Sequence, residues 1–287
     1  MIPCHIVTYN VHGLPWSRKY IYEIGTWLAD KQIPIIFLQE VFTASGRSAY
    51  RNYLERSGYQ VLVPRDEGIA LLSSGLMVAV HPSKYKVVTD CFQPYLHYHN
   101  VEVAANKGFY VVRLRELATG KEFYVVNTHT QSDTELTWFF GKRTMDQTRY
   151  KQGGQILQFF EKTTEPVLVV GDLNQETSIH PHIRFLHPPS TLPLKKATFF
   201  QTGEDLDHIA WLPLQYAQEG CGFCDIRTKG PQFLRCKVHE LPWSDHAAVE
   251  AELLIPPTSE FTASVKRTAR KVVQQPPPKT PVSKVTE

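Results

Sequence analysis

The sequence predicts an α/β protein in which layered β-sheets are flanked by helices. Short apolar runs alternate with helical stretches along most of the chain, and several runs lack the polar alternation of a half-exposed strand. Composition agrees: of 287 residues, 42% are hydrophobic and 21% charged, which suits a globular chain and excludes a wholly disordered or fibrous one. Strands are expected over residues 6–9, 35–38, 75–80, 109–114, 122–126, 167–170, 208–212 and 247–254, where β-branched and aromatic residues gather. Helices are expected over 20–31, 45–57 and 145–162. The connection between Trp211 and Trp243 is long and poorly patterned, so it reads as an excursion from the core.

Charge divides the chain into residues 1–255, a folded domain, and 256–287, a basic, proline-rich tail expected to be disordered. Of 31 basic and 28 acidic residues, six and two lie in the tail, leaving a near-neutral body of 25 against 26 and a tail of net +4. The tail also carries six of the twenty prolines and almost no aromatic residues, so it buries too little surface to offset its ordering entropy. Within it, Phe261, Val265, Ala269 and Val272 recur at helical spacing between Lys266, Arg267, Arg270 and Lys271. That is either a basic amphipathic helix for an anionic membrane surface or a solvated tail. No run approaches the ~18 apolar residues of a spanning helix, and the start lacks the charged flank and apolar stretch of a signal peptide. The expectation is a soluble, intracellular, cytoplasmic monomer, membrane-peripheral if the tail docks. Five cysteines, an odd and sparse number, argue against a disulfide framework.

The residues that end the apolar runs carry the chemistry. Ile6-Val7-Thr8-Tyr9 leads to Asn10, Ile35-Ile36-Phe37-Leu38 to Gln39-Glu40, Phe123-Tyr124-Val125-Val126 to Asn127-Thr128-His129, and Val167-Leu168-Val169-Val170 to Gly171-Asp172-Leu173-Asn174. Asp207-His208 precedes an apolar run and Ser244-Asp245-His246 precedes the final strand. Taken singly, an Asn or Asp after a strand is turn chemistry and a lone His is structural. Converged at one end of a sheet, they form an oxygen-rich cluster suited to Mg²⁺ or Mn²⁺ rather than Zn²⁺.

These residues stand in motifs. Asn10 in VTYNVHG, Glu40 in FLQE, His129 in VVNTHTQ, Asp172 and Asn174 in VVGDLN, Asp207 in DLDHI, and Asp245 with His246 in WSDH resemble the ordered motif set of the endonuclease/exonuclease/phosphatase superfamily, across residues 5 to 255. The resemblance implies the DNase I-like fold, a four-layer αββα sandwich of two mixed β-sheets. It also implies a metal-dependent phosphodiesterase, with Glu40 and Asn10 holding Mg²⁺ (or Mn²⁺) and Asp245 a further metal or outer ligand. His246 resembles the general base and Asp207 the carboxylate that orients it. Asp172 and Asn174 would orient the nucleophilic water, and His129 would donate to a phosphate oxygen.

The superfamily leaves the ester open. Asn127-Thr128-His129-Thr130-Gln131 is similar to the Thr-His-Leu-Gln motif of neutral and bacterial sphingomyelinases, and Lys107-Gly108-Phe109 resembles their upstream Lys-Gly-Phe, which marks Lys107 as substrate-binding. Apurinic-site nucleases usually place a Tyr where this chain has His129, and a near-neutral body lacks the basic face of nucleic-acid enzymes. The reading is therefore a sphingomyelinase-like phospholipid phosphodiesterase; the alternatives are a nuclease or nucleotide phosphodiesterase of the same fold, and a catalytically silent binding module. Trp138-Phe139-Phe140 is either an exposed aromatic patch for a lipid interface or core packing. Finally, Cys221, Cys224, Cys236 and His239 form C-x₂-C-x₁₁-C-x₂-H, workable spacing for a structural Zn²⁺, against the alternatives of scattered reduced thiols or a disulfide.

Overall fold

The computed structural model describes residues 1–13, 20–65, 72–99, 104–133, 142–186, 198–199, 201, 203–212 and 230–257. Among these residues twelve strands form two six-stranded mixed sheets. The first has the order β11(Gln232–His239), β12(Ala248–Ile255), β1(Ile2–Asn10), β2(Ile35–Gln39), β4(Met77–Val80), β3(Gln60–Leu62). The second has the order β5(Tyr85–Pro94), β6(Gly108–Glu116), β7(Glu122–His129), β8(Val167–Asp172), β10(Asp207–Leu212), β9(Arg184–Phe185). The central pairs β1/β2 and β7/β8 are parallel, and all other pairs are antiparallel. A parallel pair needs a crossover, and the helices α1(Ile21–Lys31) and α3(Lys142–Phe159) lie in those two crossovers.

Burial explains the four layers. Along β1, Ile2, Cys4 and Ile6 point inward to a core that Val112, Phe123, Val170 and Ile209 complete from the second sheet. Val7 and Tyr9 point the other way, onto Ile24 and Leu28 of α1 and Tyr50 and Leu54 of α2(Ala44–Arg56). On the far side Val111, Val126 and Val169 pack on Ile156 of α3 and on Phe160. With both faces covered, the central strands carry the continuous apolar runs read from the sequence. α2 starts where Thr43 accepts from the Gly46 N–H at 3.1 Å, an N-cap. α1 stops at Gln32, whose left-handed backbone ends the helix.

Four strands escape the sequence reading. β3 and β9 are three and two residues long, and β5 is a half-exposed edge strand rich in polar residues. β11 corrects the reading of 211–243 as an excursion, since residues 232–239 form the edge strand of the first sheet. An irregularity between Phe233 and Arg235 shifts its alternation by one position and hides the period-two pattern. α3 spans residues 142–159 where 145–162 was expected.

Beneath the strand ends a buried amide pair joins the sheets. Gln39 Nε2 donates to Asn127 Oδ1 at 2.7 Å, and Asn127 Nδ2 donates to the carbonyls of Leu38 and Met77 at 3.0 Å each. Gln39 Oε1 accepts from the Thr8 hydroxyl at 3.3 Å, so all four polar groups of the two amides are paired, three of them across the inter-sheet space, which fixes how one sheet lies on the other.

Candidate active site

The C-terminal ends of the parallel pairs β1/β2 and β7/β8 meet at one edge of the sandwich, where the Asn10 amide reaches Asp172. They deliver Asn10, Glu40, His129 and Asp172. β10 runs antiparallel to β8 with Asp207 opposite Asp172, so its first residue arrives at the same edge. The loop before β12 brings Asp245 and His246, tied back to β1 by the Ser244 hydroxyl donating to the Asn10 carbonyl at 2.8 Å.

Backbone shape at this edge is unusual. Among the described residues four non-glycine positions have positive φ; one is the α1 cap Gln32, and the others are His12 (47°), Glu40 (61°) and Asn174 (51°). Left-handed backbone disfavours side chains with a Cβ and clusters where geometry is over-determined by function. Gly171 reaches φ 138°, and a Cβ there would lie 2.0 Å from the Thr128 carbonyl oxygen, so only glycine lets β8 approach β7 just before Asp172.

The side chains form one connected network. Asn10 Nδ2 donates to Glu40 Oε1 at 3.1 Å and to Asp172 Oδ2 at 2.9 Å, while Asn10 Oδ1 accepts the His12 N–H at 3.0 Å. The amide therefore turns its nitrogen, not its oxygen, to the carboxylates. Asp172 Oδ1 accepts from the Asn174 N–H at 2.9 Å, and Asn174 Nδ2 donates to the Thr130 carbonyl, which also accepts from Lys107 Nζ at 3.1 Å. His246 Nδ1 lies 2.7 Å from Asp207 Oδ2, with its Nε2 3.7 Å from Asp172 Oδ2. His129 Nε2 lies 3.6 Å from the same Asp172 oxygen and 3.9 Å from Glu40 Oε1. Phe199 covers His246 at a ring distance of 4.9 Å.

Burial and neighbouring charge set the protonation states. Burial, aided by the Lys107 charge, pulls His129 down to about 3, so it is a neutral imidazole. Burial opposes charge on His246, but Asp207, Asp172 and Asp245 around it prevail and push it up to about 10. Burial raises the carboxyl of Asp207 above its usual range, against the pull of His246. Burial also raises Glu40. Asp172 is buried as well, yet His246, His129 and the Asn10 amide hold it below the usual range.

The donor set fits a hard divalent cation. Glu40 Oε2 and Asp207 Oδ1 are buried without a hydrogen-bond partner among the described residues, an arrangement that costs free energy unless something else satisfies them. One ligand atom each from Asp172, Asp207 and His246 lies within 4.8 Å of the others. Carboxylate oxygens dominate, which suits Mg²⁺ or Mn²⁺. Over the cluster opens a cavity of about 820 Å³, lined by Glu40, Lys107, His129, Asp172, Asn174, Asp245 and His246, with apolar walls from Phe42, Leu72 and Phe199.

All nine residues singled out for catalysis, Mg²⁺ or substrate thus meet in one place. The cysteine set does not. Cys236 packs toward the inter-sheet core, whereas His239 lies on the opposite face of β11 against Trp27, its Nε2 2.6 Å from Glu250 Oε2. Three residues apart on a strand, the two cannot share an ion. Cys221 and Cys224, the aromatic patch 138–140 and the tail from residue 258 lie outside the described residues. Sequence reading missed His12, whose Nδ1 lies 3.1 Å from Asp245 Oδ1 and which lines the cavity. Its place two residues after Asn10 was the available signal. Phe199 had none.

Such a site, at the carboxyl edge of two facing mixed sheets, defines a class. A profile of the Endonuclease/Exonuclease/phosphatase family matches residues 7–259, and the chain belongs to that family. Solved structures share the fold. Sphingomyelinase C from Streptomyces griseocarneus aligns at TM-score 0.64 with 16% identity, over 88% of this chain and 99% of that one. A mutant beta toxin from Staphylococcus aureus with bound magnesium ions gives the same four values. D. rerio TDP2 complexed with a single-strand DNA product aligns at 0.63 and 15%, over 88% and 99%. No curated protein matches the chain.

Proposed function

We propose that the protein is a Mg²⁺-dependent phosphodiesterase that cleaves a phospholipid head group. The observation that carries the reading is the buried His246–Asp207 pair facing Asp172 and Glu40 across the floor of a substrate-sized cavity. Glu40, with Asp172 and Asp245 nearby, would hold the cation, and Asn10 would orient Glu40 and Asp172 through its amide nitrogen. A cation held there would supply charge neutralisation at the phosphate, and its charge would offset the carboxylates around His246. In its neutral form His246 would take the proton of the attacking water at Nε2, with Asp207 holding the imidazole by Nδ1 and stabilising the imidazolium formed. Asn174 and Asp172 orient that water. His129, neutral at physiological pH, donates one ring N–H to a phosphate oxygen as charge builds, joined by the Lys107 ammonium.

The charge of the cavity supports a head group over a nucleic acid. Among the described residues, the cavity away from the catalytic floor is lined by Asp133, Asp146, Glu176 and Glu204, against Arg149, which is itself paired to Asp133 and Asp146. An acidic rim repels a polyanion and accepts a substrate with a cationic end. A relative named sphingomyelinase C and a magnesium-bound beta toxin of the same fold support the metal and the ester class; the DNA-bound TDP2 supports the nuclease reading. The test is phosphocholine release from sphingomyelin in mixed micelles with Mg²⁺, beside single- and double-stranded DNA cleavage, each with His246→Ala. Release that needs both Mg²⁺ and His246, with DNA intact, is expected. DNA cleavage alone would keep the catalytic roles and overturn the substrate; no hydrolysis of either would favour a silent binding module.

A further inference from the structure

On the outer face of the first sheet, away from the cavity, lies a second group of metal-ligating side chains. β1 and β12 run antiparallel with His5 directly opposite Glu252 and Val7 opposite Glu250, so the side chains of His5, Glu250 and Glu252 share that face. His5 Nε2 stands 2.9 Å from Glu250 Oε1, and one ligand atom from each of the three lies within 4.8 Å of the others. We propose that His5, Glu250 and Glu252 form a zinc site that ties the first strand of the domain to the last.

The geometry suits zinc. Tetrahedral Zn²⁺ with bonds of about 2.0–2.2 Å separates its ligand atoms by roughly 3.3–3.6 Å, so small side-chain rotations reach the required spacing. One imidazole and two carboxylates leave a fourth position for water, and the imidazole favours Zn²⁺ over Mg²⁺. The second oxygen of Glu250 is already held by His239 Nε2 at 2.6 Å, and Trp27 packs on His239. This is the outer-shell partner that fixes a ligating carboxylate. Arg235 competes weakly for Glu252 at 3.5 Å and is 59% exposed, free to swing into solvent. Five residues of strand put His5 about 16 Å from Asn10 and on the other face, so the two metal sites are separate. His239, grouped by sequence with three cysteines, supports this site instead.

Co²⁺ as a spectroscopic probe tests the proposal in the full-length protein with Mg²⁺ saturating. Wild type should take up one more Co²⁺ than Glu252→Gln or His5→Gln, with a visible absorption band of low-coordinate intensity that both variants lack. Zn²⁺ should raise the thermal midpoint of wild type and of His246→Ala, and leave both ligand variants unmoved. His239→Gln should weaken binding by roughly 10–100-fold. Equal Co²⁺ uptake by wild type and Glu252→Gln, or a Zn²⁺ shift that survives in both ligand variants, would overturn it. Glu252→Gln and His5→Gln preserve size and polarity, and their circular dichroism and metal-free midpoints separate a lost ligand from a lost fold.

Discussion

At the scale of single residues, the site works by holding charges that oppose one another. Asp207 is the largest single support of a protonated His246, through a 2.7 Å contact in a buried setting. Replacing it with Asn removes that negative charge, disfavours the imidazolium and lowers the His246 pKa. The acid limb of kcat/KM should therefore move to lower pH while kcat falls by roughly 10²–10⁴-fold, as read from pH–rate profiles. An unmoved limb would mean that another group titrates there. Glu40 presents a buried oxygen without a partner among the described residues, so Glu40→Gln should raise the Mg²⁺ needed for half-maximal rate by more than ~10-fold. A Mg²⁺ titration of wild type and variant checks it, and chelation should abolish wild-type activity reversibly.

Elements place these residues through a few tight passages. Gly171 sits where β8 passes Thr128, and Gly171→Ala meets both an unfavourable backbone region and a carbonyl 2.0 Å away. The expected cost is about 2–4 kcal/mol in urea unfolding, with activity lost beyond the loss of folded protein because Asp172 is the next residue. A stable, fully active variant would show that the β7/β8 spacing is adjustable. The site elements were legible because each apolar run is closed by an amide, carboxylate or imidazole, as Val170 is by Gly171-Asp172. The edges were not. β5 is half-exposed and polar, and β11 loses its alternation at Phe233/Arg235, so neither left a period for reading. His12 escaped for another reason: a left-handed turn carries it back over Asp245, and only its closeness to Asn10 in the sequence pointed there.

For the molecule as a whole, the described residues end at Pro257, and the described lining of the cavity runs from His12 to His246. We expect a chain ended after Pro257 to keep the full thermal midpoint and full activity on a soluble phosphodiester. It should lose affinity for anionic vesicles, measured by co-sedimentation, in proportion to the tail's net charge of +4. A lower midpoint would place the domain boundary later than residue 255. Four layers were legible from the strand-helix alternation and the family motifs together, whereas the order of strands was not, since β1 chooses partners at both ends of the sequence.

That choice has a consequence for synthesis. β1 lies between β2, available soon after it, and β12, whose Ile255 pairs with Ile2. At ribosomal rates of roughly 5–20 residues per second, β12 follows β1 by about 12–50 s. During that time one flank of an apolar strand carries open N–H and C=O groups, a template that a neighbouring nascent chain on the same message can occupy. Yield of the folded protein is then set by a race between completing the chain and meeting another unfinished copy. Slower translation or denser polysomes shift that race toward aggregation without altering the stability of the finished molecule.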